Sequence, residues 1–314
     1  MTGFLMKRLL GLLVTLLAAS FAIYASVYLS PGSPESVLFG ARNPPPEVRA
    51  AVREHLGLDE PFLTRYVRWL GQVLHGDLGT SLVSQQDVAS RLAHPLVVTA
   101  ALVGYASILI IVLGIGLGLL SALRPGPVDG VVNVLVSTAT AVPAFVASSL
   151  TISVFAVGLG WFPAYGLTDE IGGWWRSLTL PALSLAIIAS GLLARITRAT
   201  AREQLASDHV QTAVARGLST HRLVRSHVLR NSAGPVISVA GLQIASLFAG
   251  AVVVEQAFGL AGVGQLLITS VQQKDFPVVQ AVCLLLVSAF VLLNLGADVL
   301  VARFDPRLHR TVIS

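Results

Sequence analysis

Long apolar runs alternate with shorter polar stretches along the chain, and runs of about 20 apolar residues suit the roughly 30 Å hydrocarbon core of a bilayer. Six such runs are read, at 9–29, 95–123, 131–157, 178–194, 236–254 and 278–301. The first follows Lys7 and Arg8 and is longer than the roughly 7 to 15 apolar residues of a secretory leader, so it is expected to stay in the membrane as an anchor. Within the second, Gly114, Gly116 and Gly118 recur at alternate positions, and small residues of this kind let a neighbouring helix approach closely. The fourth run is the shortest and begins near Pro181. Two polar stretches are too long to be plain connectors: 31–94 after the first run and 195–235 after the fourth.

Composition supports this reading and removes several kinds of chemistry. Of 314 residues, 54% are apolar and 12% charged, about half the charge of an ordinary soluble domain. The fold class is therefore an all-α integral membrane protein with six transmembrane helices. The single Cys283 excludes an internal disulfide, a CxxC redox pair and a thiolate zinc set. Lys7 and Lys274, the two lysines, precede Arg8 and Asp275, so no GxxxxGK[ST] phosphate loop exists. Any ATP-driven work requires nucleotide bound by another chain. The histidines at 55, 75, 94, 209, 221, 227 and 309 fall in loops or at span ends. An intramembrane hydrolase would lack an imidazole base at depth. No catalytic group, metal or cofactor is expected.

Charge then orients the chain. With the N terminus placed inside, the inner segments hold Lys7, Arg8, Arg124, Arg195, Arg198, Arg202, Arg216, Arg222, Arg225, Arg230, Arg303, Arg307 and Arg310 against Asp129, Glu203, Asp208 and Asp305. By the positive-inside rule both termini are cytoplasmic. The net charge of +5 is thus a topology signal, and no soluble basic domain offers itself to nucleic acid.

In the outer stretch, Ser30-Pro-Gly-Ser-Pro34 ends the first run, Pro44, Pro45 and Pro46 precede a polar helix over 47–55, and a second short helix is expected over 61–74. There Tyr66, Val67, Trp69 and Leu70 alternate with Arg65 and Arg68, a surface able to meet the membrane mouth or a partner and expected to pack on the protein's own spans. In the inner stretch, 201–216 reads as one helix bearing Leu205, Val210, Ala213 and Val214, and Gly217 stands where a left-handed C-terminal cap belongs. Ser219 can cap a second small helix whose apolar face is Leu223, Val224 and Val228. Two readings of this basic knuckle are open: it lies on anionic headgroups, or it docks a cytoplasmic protein, as the small Thr212, Ala213, Ala215 and Gly217 suggest.

Asp208-His-Val-Gln-Thr-Ala-Val-Ala-Arg-Gly-Leu218, continuing through His227-Val-Leu-Arg-Asn231 to Pro235, resembles the EAA loop of ABC-transporter permeases. The form is similar to the peptide and nickel importer family, and within it to the dipeptide or oligopeptide permease B type. The resemblance covers nearly the whole chain. It takes in Leu56-Gly-Leu-Asp-Glu-Pro-Phe62, Gly76-Asp-Leu-Gly-Thr-Ser81, Pro143-Ala-Phe145, Gly160-Trp-Phe-Pro-Ala-Tyr-Gly166, Leu180-Pro181, Val254-Glu-Gln-Ala-Phe258, Gly262-Val-Gly264, Asp275-Phe-Pro277 and Asp305-Pro-Arg307.

The resemblance implies a type I ABC importer permease (MetI-like) fold. It implies an N-terminal helix 1–30, an extracytoplasmic segment 31–94, a five-helix core 95–301 containing the coupling loop 195–235, and a cytoplasmic tail 302–314. It implies import of di- or oligopeptides, with nickel, glutathione or another small solute as alternatives, and as partners a second permease subunit forming a heterodimer, two ATP-binding subunits, an extracytoplasmic solute-binding protein and the lipid bilayer. Its coupling residues carry over to Gln211, Thr212, Ala213, Arg216, Gly217 and Leu218, with Gln211 where the family has an acid and His209 where it has an aromatic. Glu255 is the candidate substrate contact, with a plain rim position as the other reading, and Asp298 is expected to pair with Arg303 or a neighbouring helix. Trp161, Phe162, Tyr165, Trp174 and Trp175 read as an interfacial belt. The rival class is an ion-coupled secondary transporter, but the halves 1–157 and 158–314 show no repeat.

Overall fold

The computed structural model describes residues 2–29, 45–47, 50, 59–168 and 173–304. The expected break at Ser30, most of the 47–55 helix and the Asp305-Pro-Arg307 tail lie outside them. Among the described residues the chain is helical, with one isolated pairing of extended backbone at Thr80 and Asp87. Five helices are long and apolar enough to cross a membrane, and one bent pair makes a sixth crossing. They are α1 (Thr2–Leu29), α3 (Val88–Leu123), the pair α4 (Pro127–Ala141) and α5 (Ala144–Thr151, running on as a wide π turn, Ile152–Gly158), α6 (Gly173–Leu205), α9 (Leu229–Phe258) and α11 (Phe276–Phe304). Between them lie the short helices α2 (Phe62–Leu74), α7 (Asp208–Ala215), α8 (Thr220–Leu223) and α10 (Val263–Gln272).

The middle of the bundle is α6 packed on α3 and α9. Leu102, Ala106 and Ile110 of α3 meet Leu178, Leu185 and Leu193 of α6 and Leu247, Val254 and Phe258 of α9 in one buried cluster. Within its apolar window 72% of α6 is buried, against 6% of α1, so α6 is the hub and α1 the periphery. Contact between α3 and α6 depends on the glycines. A Cβ on Gly118 would lie 2.6 Å from Thr197 Cβ and 2.7 Å from the Ala194 carbonyl oxygen, and one on Gly114 would lie 2.7 Å from Leu193, whereas one on Gly116 would meet nothing. Gly114 and Gly118, one helical turn apart, share the buried face.

Two expected spans change form. The run at 131–157 is not one helix: α4 and α5 meet at an angle of 110°. Val142, immediately before Pro143, takes extended backbone (ψ 124°), as the residue before a proline tends to, and Pro143 restarts the helix by accepting from Val146 and Ala147 at 3.0 Å. The bent pair and the stretch after it follow α6 from one end toward the other: Asp129 meets Arg198, Ser137 meets Arg195, Thr151 meets Ser184 and, beyond the pair, Thr168 meets Ser177, the order of contacts a broken span makes. The fourth span is the second change. Its helix is 33 residues long, contains Pro181 and continues eleven residues past Ala194, since loss of apolar character marks the edge of the lipid and not the end of the helix.

Candidate functional site

The loop between α6 and α9 is built locally. The α6 helix ends at Leu205, and Ser207 in extended conformation (ψ 147°) starts α7. Asp208 occupies the first turn, where the positive end of the helix dipole favours an acid. The helix ends at Gly217 with φ +75°, a conformation that costs a residue with a Cβ about 1–2 kcal/mol. Leu218 N–H donates to the Ala213 carbonyl (3.2 Å) and Gly217 N–H to that of Val214 (2.9 Å), the paired hydrogen bonds of a Schellman cap. Val210, Ala213 and Leu223 are buried together with Leu205 and Leu218 beside them, so the loop carries its own small apolar core.

This arrangement divides the expected coupling residues. Gln211, Thr212, Arg216 and Gly217 are exposed, Leu218 is half-buried, and Ala213 faces inward. Val214 and Ala215 complete the exposed surface. The expected helix 201–216 is in fact two, broken at Ala206 and Ser207. The expected second small helix is also corrected: α8 passes through a wide turn, Val224–Val228, into α9, giving one continuous helix Thr220–Phe258. Ser219 stands at its N-cap position and its carbonyl accepts from Leu223 N–H at 2.9 Å, but its hydroxyl caps nothing. His209 is tied to Asn231 on α9 by a 3.0 Å Nε2 to Nδ2 hydrogen bond.

The loop stands on a charged knot. Asp129 accepts from Arg198 at 2.7 and 2.8 Å, from Arg202 at 2.8 Å, from Asn133 at 2.7 Å and from the Ser121 hydroxyl, joining α3, α4 and α6 at the loop end of the bundle. Counting these residues only as topology charges misses the network, because its members are remote in sequence. Asp298 pairs with Arg8 of α1 at 2.8 Å, the neighbouring-helix alternative.

At the far end of the bundle two carboxylates are fully buried. Glu255 accepts from the Thr99 hydroxyl and from the N–H groups of Gly264 (2.7 Å) and Gln265 (3.3 Å) at the start of α10, while Val263 N–H donates to Thr99 Oγ1 (2.9 Å). A Cβ on Gly262 would run into the carboxyl. The rim reading of Glu255 is thereby overturned: it is 0% exposed and ties α9 to α3 and α10. Asp275, likewise 0% exposed, accepts from Leu82 N–H (2.9 Å), Arg91 (3.1 Å) and the Ser81 hydroxyl. Fragments quoted separately from the sequence, Gly76–Ser81 with Asp275–Pro277 and Glu255 with Gly262–Gly264, are thus contact partners. Among the belt aromatics, Trp161, Tyr165 and Trp175 are exposed at this end, while Phe162 and Trp174 pack on the core.

Comparison with known proteins agrees with this architecture. Residues 114–310 match the family described as binding-protein-dependent transport system inner membrane component, and residues 1–103 match the N-terminal region of such membrane components. The glutathione transport system permease protein GsiC of Salmonella paratyphi A is 36% identical over 98% of this chain and 99% of its own length, and that of Escherichia coli is 35% identical over the same shares. In fold the chain is similar to the inward-facing MetNI methionine ABC transporter, with a TM-score of 0.58 and 19% identity over 68% of this chain and 96% of the other. The MetI-like expectation therefore holds. A six-crossing helical bundle, a loop with a Schellman cap between the fourth and fifth crossings, and near full-length likeness to such permeases together establish that the chain belongs to the binding-protein-dependent transport system inner membrane components, as an ABC-importer permease of the peptide/nickel family.

Proposed function

We propose that this chain forms half of the path of an ATP-driven importer of di- or oligopeptides. A second permease completes the path, two ATP-binding subunits supply the energy and hydrolyse the ATP, and an extracytoplasmic protein captures the solute. Glutathione, itself a tripeptide, is the second reading, favoured by the relatives named for its transport. The observation that carries the proposal is the exposed face of Gln211, Thr212 and Arg216, held by the Gly217 cap at the end of the hub helix's loop. Closure of the ATPase pair shifts the permease only if it contacts one permease state better than the other, and a short helix fixed at both ends offers such a contact.

Two experiments test this. Gly217→Val strains the cap backbone, while nothing lies within 4 Å of its Cβ; the strain in the loop, about 1–2 kcal/mol, is expected to cut peptide-stimulated ATP hydrolysis and uptake about tenfold while membrane insertion is unchanged. Normal uptake by the variant counts against the coupling role. Ser219→Cys, in a Cys283→Ala background, is expected to react with an impermeant maleimide only in inside-out vesicles, because the loop end is read as cytoplasmic. Labelling from outside reverses the orientation.

A further inference from the structure

Helix α2 carries more apolar surface than α1 covers. At 100° per residue, Phe62, Tyr66, Trp69 and Val73 share one face, and that face sits on α1. The Phe62 and Tyr66 rings meet Phe21 at 5.7 and 5.3 Å, Trp69 lies 5.3 Å from Tyr24, and the Tyr66 hydroxyl shares a 2.9 Å hydrogen bond with Ser20. This meets the expectation that the helix packs on the protein's own spans. A second row runs beside it, Leu63, Val67, Leu70 and Leu74, in which Leu63, Val67 and Leu74 are 64, 65 and 77% exposed. Thr64, Arg68 and Gln72 occupy the remaining arc, with Arg68 paired to Glu60. The helix is therefore divided lengthwise into a protein-facing sector, an uncovered apolar sector and a polar sector.

Depth identifies the occupant of the uncovered row. Arg8, paired with Asp298, marks the charged end of α1, and at 1.5 Å per residue Ser20 and Tyr24 lie about 18 and 24 Å above it. A hydrocarbon core of about 30 Å extends beyond both. α2 is thus held about 6 to 12 Å beneath the opposite membrane surface, the depth at which an amphipathic helix buries its apolar face at the acyl boundary. The α1 window beside it is only 6% buried within this chain, so the pair stands at the periphery of the bundle, open to the bilayer.

We propose that α2 is embedded in the leaflet opposite Arg8, with the Leu63–Val67–Leu74 row against acyl chains and the Thr64–Arg68–Gln72 sector among phospholipid headgroups. α2 is then pinned at the membrane mouth by lipid as well as by α1. The inference is independent of what the transporter carries.

The test uses the full-length chain with the subunits that co-purify with it, in phosphatidylcholine and phosphatidylglycerol vesicles. In the Cys283→Ala background, Val67→Cys and Gln72→Cys are each labelled with bimane, and quenching by aqueous iodide is compared with quenching by lipids carrying a nitroxide at acyl carbon 5. At Val67 the lipid quencher is expected to be at least twofold more effective than iodide, and at Gln72 the order reverses. Equal iodide quenching at both positions would put the row in water and overturn the proposal. Protection of the Val67 label from both quenchers would put a protein on the row, with the same consequence.

Discussion

Asp275→Ala is expected to destabilise the protein by about 3 kcal/mol, the cost of stranding a largely buried cation by removing the carboxylate it pairs with. Arg91 is 19% exposed and Asp275 not at all, so solvent relieves little of that charge. The variant also leaves Leu82 N–H and the Ser81 hydroxyl without their acceptor. Asp275→Asn keeps a carbonyl acceptor for the amide and is expected to lose less. The discriminating measurement is a double-mutant cycle: Arg91→Leu combined with Asp275→Ala removes the stranded charge, so its apparent Tm in detergent should exceed that of Asp275→Ala alone. If the double variant is the less stable of the two, the ion pair is not what holds α10 and α11 to the 79–87 turn.

The second large effect is steric. Gly118→Ala places a methyl 2.7 Å from the Ala194 carbonyl oxygen, a backbone atom that moves only if α3 and α6 separate. Overpacking of this kind costs about 1–3 kcal/mol, and a larger residue such as leucine is expected to prevent assembly. Gly116→Ala, two residues away and facing open space, should be neutral or gain up to about 1 kcal/mol from helix propensity. Expression level and thermal stability of the two alanine variants, compared side by side, check the claim. Equal behaviour would mean that the α3–α6 contact does not depend on the missing side chain.

These predictions also mark what the residue pattern discloses and what it hides. Apolar runs locate all six crossings, and Gly217 followed by Leu218 announces a left-handed cap, because both signals are local. The bend at Val142 was legible in Pro143, but a run of apolar residues on either side masked it. Helix ends were misplaced at 195–216 because polar residues leave the lipid without leaving the helix. The locks were hidden for a different reason. Glu255 has its partners at Thr99 and Gly264, and Asp275 has its partners at Ser81 and Arg91. Distances of up to 194 residues along the chain carry no periodic signal. Asp129 likewise reads as a lone loop charge until α6 brings Arg198 and Arg202 to it.

The uninterrupted helix from Thr220 to Phe258 is 39 residues long, about 58 Å from tip to tip. One tip emerges from the Gly217 turn, and Glu255, three residues from the other, grips α10. A push on the knuckle is therefore expected to travel along this helix, through the wide turn at Val224–Val228 and past Pro235, toward the latch at Glu255 some 50 Å away (about 35 residues of rise).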